Sequence, residues 1–114
     1  MPLLSIDTNV AIDGDQARAL IHTASAEVAS RLGKPERYVM IRLTHQPHML
    51  FAGDDAPLAY LELKSIGLPE ERTQALSQAL CDLVSSALSI ASDRIYIEFA
   101  NAPRHLWGFD GGTF

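Results

Sequence analysis

A strand, a helix and a second strand follow one another twice along this chain, and that duplication limits its fold more than any other feature. Leu4, Ile6 and Thr8 alternate with Leu3, Ser5 and Asp7, the period of two that marks a strand over Leu3 to Asn9. Leu20, Ile21, Ala24, Val28 and Leu32 then recur at three-four spacing, which is one face of a helix. The turn Ile12-Asp13-Gly14-Asp15 offers that helix an N-cap carboxylate, and Gly33 is a good residue to stop it. A second strand follows over Tyr38 to Leu43, with Val39, Ile41 and Leu43 on one side and Tyr38, Met40 and Arg42 on the other.

The other half has the same form. Thr44 to Pro57 is turn-rich, with a short strand expected at His48 to Phe51. A third strand over Leu58 to Ser65 sets Ala59, Leu61 and Leu63 against Tyr60, Glu62 and Lys64. Pro69 falls where a first helical residue belongs, and Leu76, Ala79, Leu80, Leu83, Val84, Ala87 and Leu88 make the apolar stripe of a second helix. Asp93 to Phe99 is the fourth strand, Ile95, Ile97 and Phe99 facing in and Arg94, Tyr96 and Glu98 facing out. Glu36-Arg37 before strand two matches Asp93-Arg94 at a separation of 93 − 36 = 57, half of the 114 residues.

One strand-helix-strand unit cannot bury both faces of its strands, whereas two units sharing a sheet can. The expected fold is therefore α/β (α+β): a two-layer sandwich of a four-stranded mixed sheet with both helices on one face. It forms a single domain over residues 1–114, with pseudo-repeats of about 1–57 and 58–114. The sheet's second face would carry Ser5, Asp7, Tyr38, Met40, Arg42, Tyr60, Glu62, Lys64, Tyr96 and Glu98, with no third layer to cover it. Such a face is either solvated or a subunit interface.

Charge and composition narrow the partners. Nine Lys and Arg against 14 Asp and Glu give a formal charge of −5, which a phosphate backbone repels, so nucleic acid is not an expected partner. Charged residues interrupt every apolar run before the roughly 20 residues a membrane span needs, and the basic n-region of a signal peptide is lacking. The expected compartment is the cytoplasm. Cys81, the single cysteine, cannot form an intrachain disulfide, and its place between Leu80 and Leu83 predicts a buried, unreactive thiol. His45 and His48 flank Pro47 without a third ligand to complete a metal set, and no Gly-x-Ser-x-Gly elbow positions a nucleophile.

Pro2 is the most informative position. Removal of Met1 would leave a secondary amine at the start of a strand, placed by this reading at the sheet's edge. An unperturbed α-amino group has a pKa of about 8, and apolar surroundings or a nearby cation lower it toward what a general base needs. By spacing alone, Pro2 reads more readily as an incidental strand start, and Lys34 as a solvated lysine at a helix end.

Pro2-Leu3-Leu4, Thr8-Asn9-Val10, Gly33-Lys34-Pro35, Ser65-Ile66-Gly67, Asp93-Arg94-Ile95-Tyr96-Ile97 and Gly108-Phe109-Asp110-Gly111-Gly112-Thr113-Phe114 occur in order along the whole chain. Together they resemble the macrophage migration inhibitory factor family of the tautomerase superfamily. The resemblance implies a homotrimer with its sheets facing inward and an active site at each subunit boundary. It implies Pro2 as the catalytic base, Lys34 as the carboxylate-binding cation and Ile66 as a source of backbone contacts. Tyr96 would reach in from the neighbouring subunit, and Leu3, Trp107, Phe109 and Phe114 would wall the pocket. Glu98 stands where many members carry asparagine, which brings an acid toward the pocket. The Cys-x-x-Cys of some members is replaced by Leu58-Ala59-Tyr60-Leu61, so a thiol oxidoreductase activity is not implied.

The function so implied is a cofactor-independent keto-enol tautomerase, an isomerase acting on enolisable α-keto acids such as phenylpyruvate and on dopachrome-like compounds. The reaction shifts a proton between carbon and oxygen and calls for no metal or redox cofactor. The alternative is a cytokine-like, protein-binding trimer with a vestigial pocket; a receptor partner has no residue of its own to point to it, although relatives can leave the cell without a signal peptide.

Overall fold

The computed structural model describes residues 1–114. Strand β1 (Leu3–Thr8), helix α1 (Gly14–Leu32) and strand β2 (Met40–His45) form the first unit. Strand β3 (Ala59–Ile66), helix α2 (Thr73–Leu88) and strand β4 (Ile95–Ala102) form the second. A closing hairpin joins β5 (Gly108–Phe109) to β6 (Gly112–Thr113). The sheet order is β2-β1-β3-β4, parallel within each unit and antiparallel where β1 meets β3, so the four-stranded mixed sheet is as expected.

Its core follows from the two periodicities. Leu4, Ile6, Leu61 and Leu63 project from one face of β1 and β3, and each is at most 1% exposed. They meet Leu20, Ala24, Val28 and Leu32 of α1 and Leu76, Leu80, Val84 and Leu88 of α2, two stripes at i, i+4 spacing that wind slowly round each helix. Burying each leucine contributes about 1.5–3 kcal/mol before entropy is counted. Both helices share this face. Tyr96 and Met40, 64% and 60% exposed, mark the opposite face, which no helix covers.

Helix ends are set by local chemistry. Asp13 Oδ1 accepts from Gln16 N at 2.7 Å, and Gly33 takes the left-handed conformation at φ +62° to close α1. At the far end of β1, buried Thr8 donates to Leu58 O at 2.8 Å and Asn9 Oδ1 accepts from Leu58 N at 3.0 Å. This pair fastens the entry to β3, which explains a Thr-Asn step at that point.

Several sequence expectations are corrected. Pro2 does not begin an edge strand: β1 is internal, flanked by β2 and β3, because each unit pairs its own strands and the units join through their first ones. His48 to Phe51 forms no strand; Phe51 and Asp54 make an isolated bridge around a turn in which Ala52 and Gly53 have positive φ. Tyr38 and Arg94 precede their strands, each closing a 3-10 turn, Glu36–Tyr38 and Ser92–Arg94. A similar turn, Glu70–Arg72, separates Pro69 from α2. These turns also revise the spacing of the halves. Equivalent landmarks lie 92 − 36 = 56 and 89 − 33 = 56 residues apart, one fewer than the acidic-basic dipeptides suggest, because backbone geometry rather than side-chain type sets the register. Finally, Cys81 is half-buried rather than buried, since the helical step from Leu80 turns it off the core stripe; its Sγ lies 3.7 Å from Ser92 O.

Candidate functional site

The head of β1 is where these elements converge. Pro2 is buried, and its carbonyl accepts from Met40 N at 3.0 Å, which locks it beside the start of β2. On the other side, Leu3 pairs with Lys64 of β3. Lys34 follows the left-handed Gly33 directly, its own N–H donating to Ala29 O at 3.0 Å, so the helix cap aims it at this end of the sheet. Its Nζ sits 3.9 Å from the place a Gly67 Cβ would occupy, so the ammonium lies beside that turn, where φ +64° favours glycine. Ile66, 5% exposed, ends β3 immediately before that turn.

Electrostatics at this end favour a neutral amine. The chain's α-amino group, carried by Met1 here, is held below its ordinary value of 8.0, first by burial and then by the Lys34 charge. Lys34 forms no ion pair that would blunt its field.

Beside Pro2 opens a cleft of about 540 Å³, lined by Pro2, Leu3, Trp107, Phe109 and Phe114 among others. The tail hairpin builds its wall. Phe109 and Phe114 stack with centroids 5.0 Å apart, and Tyr38 meets both edge-on at 5.6 and 5.7 Å. Phe114 N donates to Trp107 O at 3.2 Å, which ties the last residue back across the hairpin. A second groove of about 590 Å³ runs between α1 and α2, lined by Ala19, Ala79 and Ala87 with Glu27, Arg31 and Asp82 among others.

Five expected site residues, Pro2, Leu3, Trp107, Phe109 and Phe114, therefore share one cleft. Lys34 and Ile66 lie at the same end of the sheet without lining it. Tyr96 and Glu98 stand apart on the open face of β4: Tyr96 packs on Phe51 at 4.6 Å, and Glu98 accepts from the Tyr60 hydroxyl at 2.6 Å. Tyr60 also lies 3.1 Å from Glu62. The bond to Glu98, desolvation and the bond to Glu62 together hold the Tyr60 phenol far above its ordinary range. Arg37, Tyr38, Met40 and Lys64 line the cleft although the sequence reading assigned no site role to them. No local sequence signal marks them; strand register brings them in, Lys64 lying opposite Leu3 and Arg37-Tyr38 preceding the strand that runs parallel beside Pro2. Periodicity places all but Arg37 on the sheet's open face; Met40 and Lys64 reach the cleft from there, and Tyr38 from the turn before β2.

These features define a class: a two-layer α/β subunit whose internal strand starts at a buried proline beside an aromatic cleft. The chain belongs to the macrophage migration inhibitory factor family, whose family model, described as Macrophage migration inhibitory factor (MIF), matches residues 1–114. It is 36% identical over 115 residues to the macrophage migration inhibitory factor homolog of Brugia malayi, covering 100% of this chain and 99% of that one. Among solved structures, it superposes with a TM-score of 0.93 and 42% identity on the macrophage migration inhibitory factor homologue of Prochlorococcus marinus, covering 98% of both chains. The Toxoplasma gondii macrophage migration inhibitory factor gives a TM-score of 0.92 at 31% identity, over 98% of this chain and 99% of that one. No helix is long and apolar enough to cross a membrane.

Proposed function

We propose that the protein is a cofactor-independent keto-enol tautomerase in which Pro2, exposed by removal of Met1, is the general base. The observation that carries this reading is the buried Pro2 at the head of β1, beside an aromatic cleft and a terminal amine held below its ordinary value by burial and Lys34. In the processed chain the amine belongs to Pro2 itself. In its neutral form, its lone pair takes a proton from the carbon next to the keto group, and the electrons of that C–H bond move to the carbonyl oxygen as an enolate. The same proton, now on the prolinium, is returned to the oxygen to give the enol; the reverse sequence gives the ketone. Lys34 orients the substrate carboxylate and its fixed charge favours the enolate. Trp107, Phe109 and Phe114 exclude water from the exchange.

The same reading makes the functional unit a homotrimer, its interface formed by the uncovered sheet face. Tyr96 and Glu98 of the partner subunit would then stand near Pro2, which is why a single chain leaves them outside the cleft. Glu98 brings a negative charge with it, partly engaged by Tyr60.

The test begins with mass spectrometry to establish loss of Met1, followed by phenylpyruvate turnover across pH. A depressed amine pKa means the base is already neutral below pH 8, so the rising limb of kcat/KM should lie below the ordinary value of 8.0. Pro2→Gly should remove most turnover while the far-UV circular dichroism stays native. Full turnover by protein that retains Met1 would sink the mechanism, because an amide nitrogen is not a base.

A further inference from the structure

The cleft beside Pro2 holds more positive charge than one carboxylate uses. Arg37 and Lys64 both line it, and within one chain no Asp or Glu does; the Glu98 that the trimer reading adds is already engaged by the Tyr60 hydroxyl. Lys64 is partly neutralised by Glu62, 3.4 Å away. Arg37 has no ion pair. Its guanidinium carbon stands 4.7 Å above the Tyr38 ring, and Tyr38 is itself braced edge-on by Phe109 and Phe114. The backbone beneath is fixed by the 3-10 turn, with Tyr38 N bonded to Pro35 O at 3.1 Å and Val39 N to Glu36 O at 3.0 Å. A guanidinium held over an aromatic ring and engaged in no ion pair keeps N–H donors free for two parallel bonds to a carboxylate.

Lys34 acts elsewhere: its charge is felt at the terminal amine, and it does not line the aromatic cleft. The site thus has one cation where the proton is moved and a second, unneutralised, on the aromatic wall. In a chain of formal charge −5 the general field does not favour anions, so a local arrangement must.

We propose that the substrate is an aryl α-keto acid, or its enol, that bears a second anionic group on the ring, and that Arg37 is the specificity-determining residue that receives it. This rests on the tautomerase reading above. The keto-acid end lies toward Pro2 and Lys34, the ring packs against Tyr38, Phe109 and Phe114, and the second anion meets Arg37.

The experiment compares phenylpyruvate with 4-carboxyphenylpyruvate in native, Arg37→Gln and Arg37→Lys proteins, all freed of Met1. Turnover gives the ratio of the two kcat/KM values. Quenching of Trp107, the chain's one tryptophan and a lining residue of the cleft, gives the ratio of the two Kd values without requiring turnover. The native protein should favour the carboxylated probe by about fivefold, mainly through KM, and less so at high salt. Arg37→Gln should abolish that preference, and Arg37→Lys should restore part of it. An unchanged Kd ratio and an unchanged kcat/KM ratio in Arg37→Gln would overturn the proposal. Absence of phenylpyruvate turnover in native protein would instead overturn the tautomerase reading, and the Kd ratio would still decide the role of Arg37.

Discussion

The turn that follows α1 and the turn that follows α2 have nearly the same backbone. Gly33 and Ser89 close their helices in the left-handed region, at φ/ψ of 62°/36° and 55°/46°. Pro35 and Ala91 then share an extended conformation, at −61°/133° and −60°/136°, and each accepts the hydrogen bond of a 3-10 turn. The side chains diverge. Tyr38 at the end of the first turn braces the aromatic wall of the cleft. At the equivalent position of the second, Arg94 donates to the carbonyls of Phe51, Asp54, Ala56 and Pro57, which pins the long loop before β3. A strand-helix-strand unit dictates the path of the chain, and the residues along that path decide whether the turn serves chemistry or stability.

That contrast can be broken at three places. Lys34 belongs to the first turn; at the second, Ile90 repeats its backbone bond, Lys34 N to Ala29 O and Ile90 N to Ser85 O, but carries no charge. Lys34→Ala should therefore lower kcat/KM for phenylpyruvate by about a hundredfold, the scale of removing a charge-stabilising group from an active site. Its stability should shift by less than about 0.5 kcal/mol, because the ammonium makes no ion pair. A large loss of stability with little loss of turnover would reverse the roles assigned to the two turns.

Arg94→Ala should act in the opposite sense. Four carbonyls lose a charged donor, and since the site is partly exposed and water can replace some of the bonds, the expected cost is about 2–3 kcal/mol in urea denaturation. A change below about 0.5 kcal/mol would mean that the loop holds itself.

The smallest effect concerns the helix caps. Ser89 pays the steric penalty of a left-handed side-chain-bearing residue that Gly33 avoids. Ser89→Gly should raise stability by about 0.5–1 kcal/mol and Gly33→Ser should lower it by a similar amount, both read as shifts in the denaturation midpoint. Equal and opposite shifts would confirm that the two caps are the same device, whereas a destabilised Ser89→Gly would separate them.

Much of this architecture is legible without coordinates. Alternation in Leu3–Thr8 and Ala59–Ile66 identifies both central strands, because one face of each must be apolar to meet the helices. The core stripes of α1 and α2 are equally plain. Legibility fails where a side chain's role depends on a distant partner. Phe51 reads as part of a strand until Tyr96 and Arg94 are seen to hold it in a turn, at 4.6 and 5.3 Å. Cys81 reads as buried because its neighbours in sequence are apolar, although its direction from the helix axis decides the matter.

The candidate site divides in the same way. Pro2, Lys34 and the aromatic tail stand out through their resemblance to a family, and the structure brings Pro2 and that tail to one cleft, with Lys34 at the same end of the sheet. Arg37 and Lys64 do not stand out, since a basic residue on a polar turn or an outward strand position is ordinary in sequence.

What the sequence determined by itself is the set of elements and their buried faces, because periodicity is a local property that hydrophobic burial must satisfy. Only the tertiary structure decided that β1 is internal, that Tyr38 and Arg94 occupy equivalent turns, and that Arg37 shares a cleft with Pro2. Those relations depend on which strands pair and in what register, and pairing is fixed by contacts between residues far apart in the chain.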